Sequence, residues 1–167
     1  MSNLVLRLYA PGDTPALAQL KSEYVRALYR GFVPSEVLKK ATPDYYAEQL
    51  ARWFDSHLYH IALSERAGKI SSFVVYGADP DQRSYGLIYE LACDHIADAA
   101  EKRAMIDFSL AQMRQEGYAA VHLWVLRDNF RVRFLFESLG FRHDGSTRTL
   151  DISGQELLIA RYTFPLT

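Results

Sequence analysis

The sequence predicts one α/β domain, residues 1–167, built on a mixed, mostly antiparallel central sheet of about seven strands with helices on both faces. Strand-like alternation and helix-like spacing of apolar residues succeed one another along the chain. Their order is strand, two helices, three strands, helix, strand, helix, two strands. The fourth strand leads through a helix into the fifth, which is the connection of parallel neighbours, whereas the hairpins require antiparallel pairs. No repeat, linker or low-complexity segment interrupts this order.

The composition is that of a globular protein, 49% hydrophobic and 23% charged, with a formal net charge of -1. It excludes a disordered chain, and no apolar run reaches the length of a bilayer-crossing helix. Lys and Arg are not concentrated in any segment, so we expect neither nucleic acid nor membrane as a partner. The single cysteine, Cys93, excludes an intramolecular disulfide and a cysteine-rich metal site. The opening segment MSNLVLRLYAPGD has no signal-peptide pattern, so we expect a cytoplasmic protein.

Local signals predict the first strand and the two helices after it. The alternating run LVLRL forms the strand, and Asp13 after the turn APGD is placed to cap a helix. That helix covers TPALAQLKSEYVRALYRGF and ends at Gly31. A second helix covers ATPDYYAEQLARWF, where Pro43 suits the first turn. The apolar stripes of the two helices are Leu17, Leu20, Tyr24, Leu28 and Tyr46, Leu50, Trp53.

Three strands of a meander come next. LYHIAL and KISSFVVYG are separated by the turn-forming SERAG and read as an antiparallel hairpin. GLIYELAC, after the polar loop ADPDQRSY, extends the sheet as its fourth strand.

The second half of the chain alternates helices and strands. DAAEKRAMIDFSLAQMRQEGY is a long helix, with Asp98 and Glu101 at the spacing of a capping box and Gly117 at its end. AAVHLWVL is the fifth strand, RDNFRVRFLFESLGF is a short helix stopped by Gly140, and STRTLDISGQELLIARYTF is a hairpin turning at Ser-Gly-Gln. We therefore expect a ligand crevice at the carboxyl end of the fourth strand, beside the N-terminus of the long helix.

The order of elements and the run RDNFRVRFLFESLGF together resemble the GNAT superfamily of acyl-CoA-dependent N-acyltransferases. The resemblance covers essentially the whole chain. Asn129, the region 134–136, Gly140 and Phe141 fill the family pattern of an asparagine, an aromatic pair and a glycine-aromatic stop. LRLYAPGDTPALAQL, YRGFVP and GKISSFVVYG are similar to the family's first strand, helix pair and third strand.

The resemblance implies that the fourth and fifth strands splay apart and that the pantetheine arm of acetyl-CoA lies between them. It implies transfer of an acetyl group to the amine of a small molecule or peptide by direct attack. The backbone N–H groups of Leu91, Ala92 and Cys93 would polarise the thioester carbonyl. Homodimers are common among similar proteins, although no segment of this chain marks an interface.

In the family the pyrophosphate rests on a glycine-rich turn that opens the long helix. The corresponding segment here, ADAAEK at 97–102, contains no glycine. Asp98 and Glu101 carry carboxylates that compete with an incoming phosphate for the helix N-terminus. Lys102 or Arg103 offers a compensating positive charge, and helical direction favours one of them over both. The residues expected to meet the diphosphate are Asp98, Ala99, Ala100, Lys102 and Arg103.

A second departure is Phe136, which falls where the family commonly carries a tyrosine that protonates the departing thiolate. Phenylalanine has no proton to donate, and general acid catalysis contributes roughly 10²- to 10⁴-fold. The two departures leave two alternatives open beside an acetyltransferase. One is a GNAT-fold binding or assembly module without turnover, and the other is an acyltransferase that takes its acyl group from a carrier protein.

Glu90 is the candidate general base, because it is a carboxylate within the otherwise apolar strand LIYELAC. The alternative is a sheet-edge or solvent-facing residue paired with Arg or Lys. The aromatic residues of the first two helices are candidates for an acceptor pocket, with Tyr29 and Phe32 preferred.

Other polar residues have simpler interpretations. Cys93 and His95 could share a strand face as a thiolate-imidazole pair, but a cysteine in an apolar strand is usually core. His122 is expected to be a hydrogen-bonded sheet histidine. Asn129 is a candidate contact of coenzyme A, and the role of helix cap explains it almost as well. We expect no metal site, because the remaining candidates lack the spacing of zinc ligands: Asp55, His57, His60, His143 and Asp144.

Overall fold

The computed structural model describes residues 3–167 and contains the predicted strands and helices in the predicted order. Met1 and Ser2, on which part of the localisation prediction rests, lie outside the described residues. The strands are β1 Leu4–Leu8, β2 Tyr59–Arg66, β3 Lys69–Ala78, β4 Gly86–Cys93, β5 Ala120–Leu126, β6 Arg142–Ile152 and β7 Gln155–Pro165. The helices are α1 Thr14–Tyr29, α2 Ser35–Leu38, α3 Pro43–Ser56, α4 Ala99–Gln115 and α5 Phe130–Ser138.

The seven strands form one sheet in the order β1-β2-β3-β4-β5-β7-β6. All neighbours are antiparallel except β4 and β5, which are parallel as the connecting helix predicts. The predicted fold class is therefore confirmed. The β4–β5 ladder runs only from Gly86↔Val121 to Ile88↔Leu123, although both strands continue beyond it. The two strands thus diverge toward their carboxyl ends.

Two apolar cores cover the two faces of the sheet. On one face α1 and α3 pack against β2, β3 and β4 through residues such as Leu17, Leu50 and Phe73. On the other face α4 and α5 pack through residues such as Met105 and Phe136. Within residues 3–167 no helix combines the length and apolarity needed to span a bilayer.

Local details correct three expectations. Asp13 precedes α1, but its carboxylate accepts two 2.8 Å hydrogen bonds from Arg7 and one from the N–H of Ala10, and it caps nothing in α1. The hairpin expected to turn over SERAG turns at Ala67–Gly68, both with positive φ, so β2 runs on to Arg66. The short helix α2 was not predicted, because four residues carry too little periodicity to be recognised.

Gly77 provides a test of the packing between β3 and the end of α3. A Cβ at this position would lie 2.6 Å from the carbonyl oxygen of Leu58, which is backbone and cannot swing aside. We expect Gly77→Ala to lower the free energy of unfolding by about 1–3 kcal/mol, measured by chemical denaturation. Gly12→Ala is the matched control, because a Cβ there meets no atom within 4 Å. Equal losses in the two variants would contradict the steric explanation.

Candidate active site

A β-bulge in β4 marks the point where the strand leaves β5. Val75 pairs with Glu90 while Tyr76 pairs with Ile88, so Tyr89 is the extra residue. Beyond the bulge the N–H of Asp94 donates to the carbonyl of Ser71 in β3, at 2.8 Å. Because successive N–H groups of a strand point to opposite edges, those of Cys93 and Leu91 face the side where β5 has diverged. Two backbone donors are thereby directed into the space between the strands.

This space forms a cavity of about 450 Å³, called the gap cavity below. Its walls include residues 87–91 of β4 and 123–126 of β5, with side chains of α1 on one face of the sheet and Phe136 of α5 on the other. The cavity passes between the two strands and so connects the two faces of the sheet.

A second cavity of about 630 Å³, the outer cavity, lies where β4 meets the start of α4. Residues of α1, β4, α4 and α5 line it. Its charged side chains are Arg30, Lys102 and Arg131 against the single carboxylate of Asp94. The balance of charge at this cavity therefore favours an anion.

A third cavity of about 670 Å³, the side cavity, lies between α1, α2, α3 and the tip of the β6–β7 hairpin. Tyrosines and aliphatic side chains form most of its wall. Glu90 and Tyr29 line both the side cavity and the gap cavity. Glu90 therefore lies at the junction of the two.

Glu90 is paired with Lys21 of α1, with 2.7 Å between Oε2 and Nζ. Side-chain exposure is 15% for Glu90 and 4% for Lys21. The Lys21 ammonium also donates to Gln49 and lies over the rings of Trp53 at 4.3 Å and Tyr46 at 4.8 Å. Burial raises the pKa of Glu90, and the charge and hydrogen bond of Lys21 oppose the rise without cancelling it. Burial likewise lowers the pKa of Lys21.

Two buried polar side-chain atoms have no hydrogen-bond partner among residues 3–167, namely Oε1 of Glu90 and Nε1 of Trp124. Both residues line the gap cavity. One atom is an acceptor and the other a donor, and leaving either unpaired costs about 1–3 kcal/mol. The sequence did not single out Trp124, because a tryptophan in the strand AVHLWVL is typical of a core residue. The Arg148 guanidinium lies over its ring, 3.8 Å from the ring centroid.

Solved structures match this chain over nearly its whole length. An N-acetyltransferase from Staphylococcus aureus Mu50 is 17% identical with a TM-score of 0.76, over 99% of this chain and 100% of that chain. A GNAT-family acetyltransferase described as putative, from Desulfovibrio desulfuricans, is 18% identical with a TM-score of 0.71, over 99% and 100%. The chain has the GNAT fold.

The PaiA N-acetyltransferase from Thermoplasma acidophilum, solved in complex with coenzyme A, has the same fold, with 12% identity and a TM-score of 0.75 over 97% of this chain and 99% of that chain. No family model and no curated protein matches the sequence. The likeness therefore extends to the fold, and the resemblance noted in the sequence is confirmed at that level.

The turn that opens α4, the segment expected to meet a pyrophosphate, forms without glycine. Asp98 is the cap, since its Oδ1 accepts from the N–H of Glu101 at 2.8 Å. Glu101 does not complete the predicted capping box. Its carboxylate is fully buried and turns into the sheet, where it accepts from Ser64, Ser71, Ser72 and Arg66. The expectation that both carboxylates occupy the helix N-terminus is thus wrong for Glu101, because the serines of β2 and β3 provide stronger solvation for its charge.

The structure brings most of the predicted site residues of the GNAT fold to the cavities. Tyr29 and Glu90 both line the gap cavity, whereas Phe32 lines the outer cavity although its N–H donates to the carbonyl of Tyr29. Arg103 turns away and donates to the carbonyl of Ser138, so of the two neighbouring cations only Lys102 lines a cavity. The predicted residues in the outer cavity are Phe32, Leu91, Cys93, Ala99, Lys102, Asn129 and Phe136. Those outside the cavity linings are Ala92, Asp98, Ala100 and Arg103.

The remaining polar residues have structural partners. His122 is buried, with its Nδ1 2.7 Å from Oδ2 of Asp79, which confirms the satisfied sheet histidine. Oδ1 of Asn129 accepts from the N–H of Val132 at 3.3 Å, which confirms the cap. Burial raises the pKa of Cys93 to about 12, so its thiol is not a ready nucleophile. Among residues 3–167 no three His, Cys, Asp or Glu side chains cluster as metal ligands.

Proposed function

We infer that the protein is an N-acyltransferase that moves an acetyl group from acetyl-CoA to the amine of a small molecule or peptide by direct attack. The observation that carries this is the gap cavity between the diverging strands, into which the N–H groups of Leu91 and Cys93 are directed. Glu90 lines the same cavity and leaves Oε1 without a hydrogen-bond partner. The cavity therefore brings backbone donors and a carboxylate to one place.

The outer cavity supports a nucleotide thioester as the donor. Lys102 and Arg131 bring positive charge from α4 and α5, and Arg30 brings a third from the end of α1. These side chains would replace the missing glycine turn as ligands of the diphosphate, through charge-assisted hydrogen bonds. A thioester reaching inward from there would pass Leu91 and Cys93, whose N–H groups face the gap, where a developing oxyanion needs donors.

Glu90 is the proposed general base for the acceptor amine. It stands between the side cavity, where an acceptor would enter, and the gap cavity, where the thioester would lie. Burial raises the pKa of Glu90 toward neutral pH, which is where the pKa of an effective general base lies. The aromatic wall formed by Tyr29, Tyr45 and Tyr46 would hold an acceptor with a flat or apolar body. The acceptor screen should therefore include arylalkylamines, and polyamines and short peptides should be tested beside them.

Calorimetric titration tests the donor. We expect acetyl-CoA and desulfo-CoA to bind and free pantetheine to bind far more weakly, because pantetheine lacks the diphosphate. Lys102→Ala and Arg131→Ala should each weaken acetyl-CoA binding about tenfold, a loss of about 1.4 kcal/mol. Lys69→Ala, an exposed lysine on the β2–β3 hairpin, is the control for the loss of one charge.

Absence of binding at millimolar acetyl-CoA would contradict this donor and favour one of the two alternatives. A carrier-protein donor has one observation in its favour. Phe130 and Phe134 project from α5 with 71% and 72% of their surface exposed, and Phe134 lines the outer cavity. Transfer from a carrier-bound acetyl group that is lost in Phe134→Ser would support that donor, and failure of both donors would leave a binding module. The cytoplasmic location and the homodimer stay predictions.

A further inference from the structure

Phe136 leaves the departing thiolate without the proton donor expected at its position. The side chain is 7% exposed, lines both the outer and the gap cavity, and packs edge-on against Phe141 with 5.7 Å between ring centroids. Phe136 therefore lies where a general acid could reach the thiolate, but its ring carries no hydroxyl.

Six residues line both cavities and so surround the passage between them. They are Tyr24, Leu28, Leu91, Asn129, Val132 and Phe136. Four have aliphatic or phenyl side chains, and the side-chain oxygen of Asn129 is engaged as the cap of α5. Tyr24 alone among the six carries a proton that it can donate.

Tyr24 lies on α1, opposite Phe136 across the passage. Its hydroxyl makes no hydrogen bond to any side chain or backbone group of residues 3–167, so it is available to a ligand. Burial raises the pKa of Tyr24, and the neighbouring Cys93, Glu90 and Tyr29 raise it further. The hydroxyl is consequently protonated at neutral pH.

We propose that Tyr24 is the general acid of the transfer and takes the place of the hydroxyl that Phe136 lacks. The proposal rests on the proposed acetyltransferase function. The amine nitrogen forms a bond to the thioester carbonyl carbon, and the proton it sheds goes to Glu90. The bond from carbonyl carbon to sulfur then breaks, and the sulfur leaves with the electron pair and takes the phenolic proton of Tyr24. Proton exchange with water through the outer cavity restores Tyr24 and Glu90, so that one acetyl-CoA and one neutral amine give one amide and one thiol.

The test measures acetyl transfer from acetyl-CoA to the best amine of the acceptor screen, followed by the loss of thioester absorbance. Tyr24→Phe should lower kcat about 100-fold, the low end for an acid catalyst because the coenzyme A thiolate is a fair leaving group, and should change the KM for acetyl-CoA little. Phe136→Tyr introduced into Tyr24→Phe should restore kcat to within about tenfold of the wild-type value, since it returns a hydroxyl to the other side of the same passage. Tyr118→Phe, in the segment between α4 and β5 and outside both cavity linings, is the control for loss of a tyrosine hydroxyl.

The outcomes separate this proposal from the function on which it rests. Transfer by the wild-type chain with an unchanged kcat in Tyr24→Phe would overturn the role of Tyr24 and leave the acetyltransferase standing. A loss in Tyr24→Phe that Phe136→Tyr does not relieve would indicate a packing role and would also overturn it. A wild-type chain that binds acetyl-CoA and transfers to no amine would overturn both. A thermal melt of each variant identifies any that are unfolded, and an unfolded Tyr24→Phe is replaced by Tyr24→His, which keeps a proton donor and should retain more activity than Tyr24→Leu.

Discussion

Glu90→Gln is expected to lower kcat for acetyl transfer about 10³-fold while leaving acetyl-CoA affinity nearly unchanged. Glutamine keeps the size of the side chain and can still accept a hydrogen bond from Lys21, but it cannot take a proton from the acceptor. The affinity is spared because Glu90 lies at the junction with the side cavity, away from the cationic lining of the outer cavity. Steady-state kinetics and calorimetry on the same preparation measure the two quantities.

The role of Glu90 as a base also predicts how kcat/KM depends on pH. A general base must be deprotonated to act, so kcat/KM should rise with pH through the pKa of Glu90, which burial places above the ordinary glutamate value. Lys21→Met removes the opposing charge, so the rise should move to higher pH. Glu23→Gln, on the exposed side of α1, is the matched control and should show neither effect. Full activity in Glu90→Gln would exclude this residue as the base.

Glu101→Ala is expected to lower the free energy of unfolding by about 3–5 kcal/mol, a cost typical of breaking a buried charged network. Glu101 is fully buried, and its carboxylate accepts from Ser64 at 2.7 Å, Ser72 at 3.2 Å and Arg66 at 3.1 Å, and also from Ser71. Its removal leaves three buried hydroxyls without their shared acceptor and Arg66 without its partner. Chemical denaturation measures the loss.

Lowering the pH should remove the stabilisation that the Glu101 carboxylate provides. Burial raises the pKa of Glu101, but the hydrogen bonds from Ser71, Ser64 and Arg66 outweigh it, so the pKa in the folded chain lies below its ordinary value. The stability it provides is therefore present above the unfolded pKa and is lost as the pH falls through the folded pKa. Glu101→Gln should flatten this part of the pH profile. Glu48→Ala, an exposed glutamate of α3, should change stability by no more than about 0.5 kcal/mol, and a similar loss there would contradict a specific network.

The position of Glu101 changes the interpretation of the turn that opens α4. In the sequence, two carboxylates at a helix N-terminus suggest that acids have replaced a bound phosphate. In the structure Asp98 caps the helix, whereas the Glu101 carboxylate accepts hydrogen bonds from the serines of β2 and β3. The turn is therefore stabilised by its own chain, and the positive charge beside it comes from Lys102 and its cationic neighbours in the outer cavity.

Much of the fold was predictable because its signals are local. The alternation in LVLRL, the stripe Leu17, Leu20, Tyr24 and Leu28, and the turn at Ser153–Gly154 each concern residues close together in the chain. The parallel pairing of β4 and β5 followed from the helix that connects them. Exceptions such as Asp13 arise where a side chain of another element, here Arg7 of β1, takes the carboxylate that would have capped the helix.

The candidate site was predictable only as a region. Glu90, Asn129 and Phe136 could be singled out from residue type and position, but neither the partner of Glu90 nor the direction of Arg103 could. The structure shows Glu90 as a paired carboxylate, and its role as the base stays a prediction. It is paired through one oxygen and unpartnered at the other.

The sequence by itself determined the order of strands and helices and the fold class, and it shows no glycine at 97–102 and a phenylalanine at position 136. The tertiary structure alone decided that Lys21 meets Glu90, that the Glu101 carboxylate turns from the helix N-terminus into the sheet, and that Tyr24 and Phe136 line the same two cavities. The physical reason is the range of the interactions involved. Periodicity and turn chemistry act over a few neighbouring residues, whereas the environment of a buried charge or hydroxyl is set by side chains that only the packing of α1, α4 and α5 on the sheet brings together.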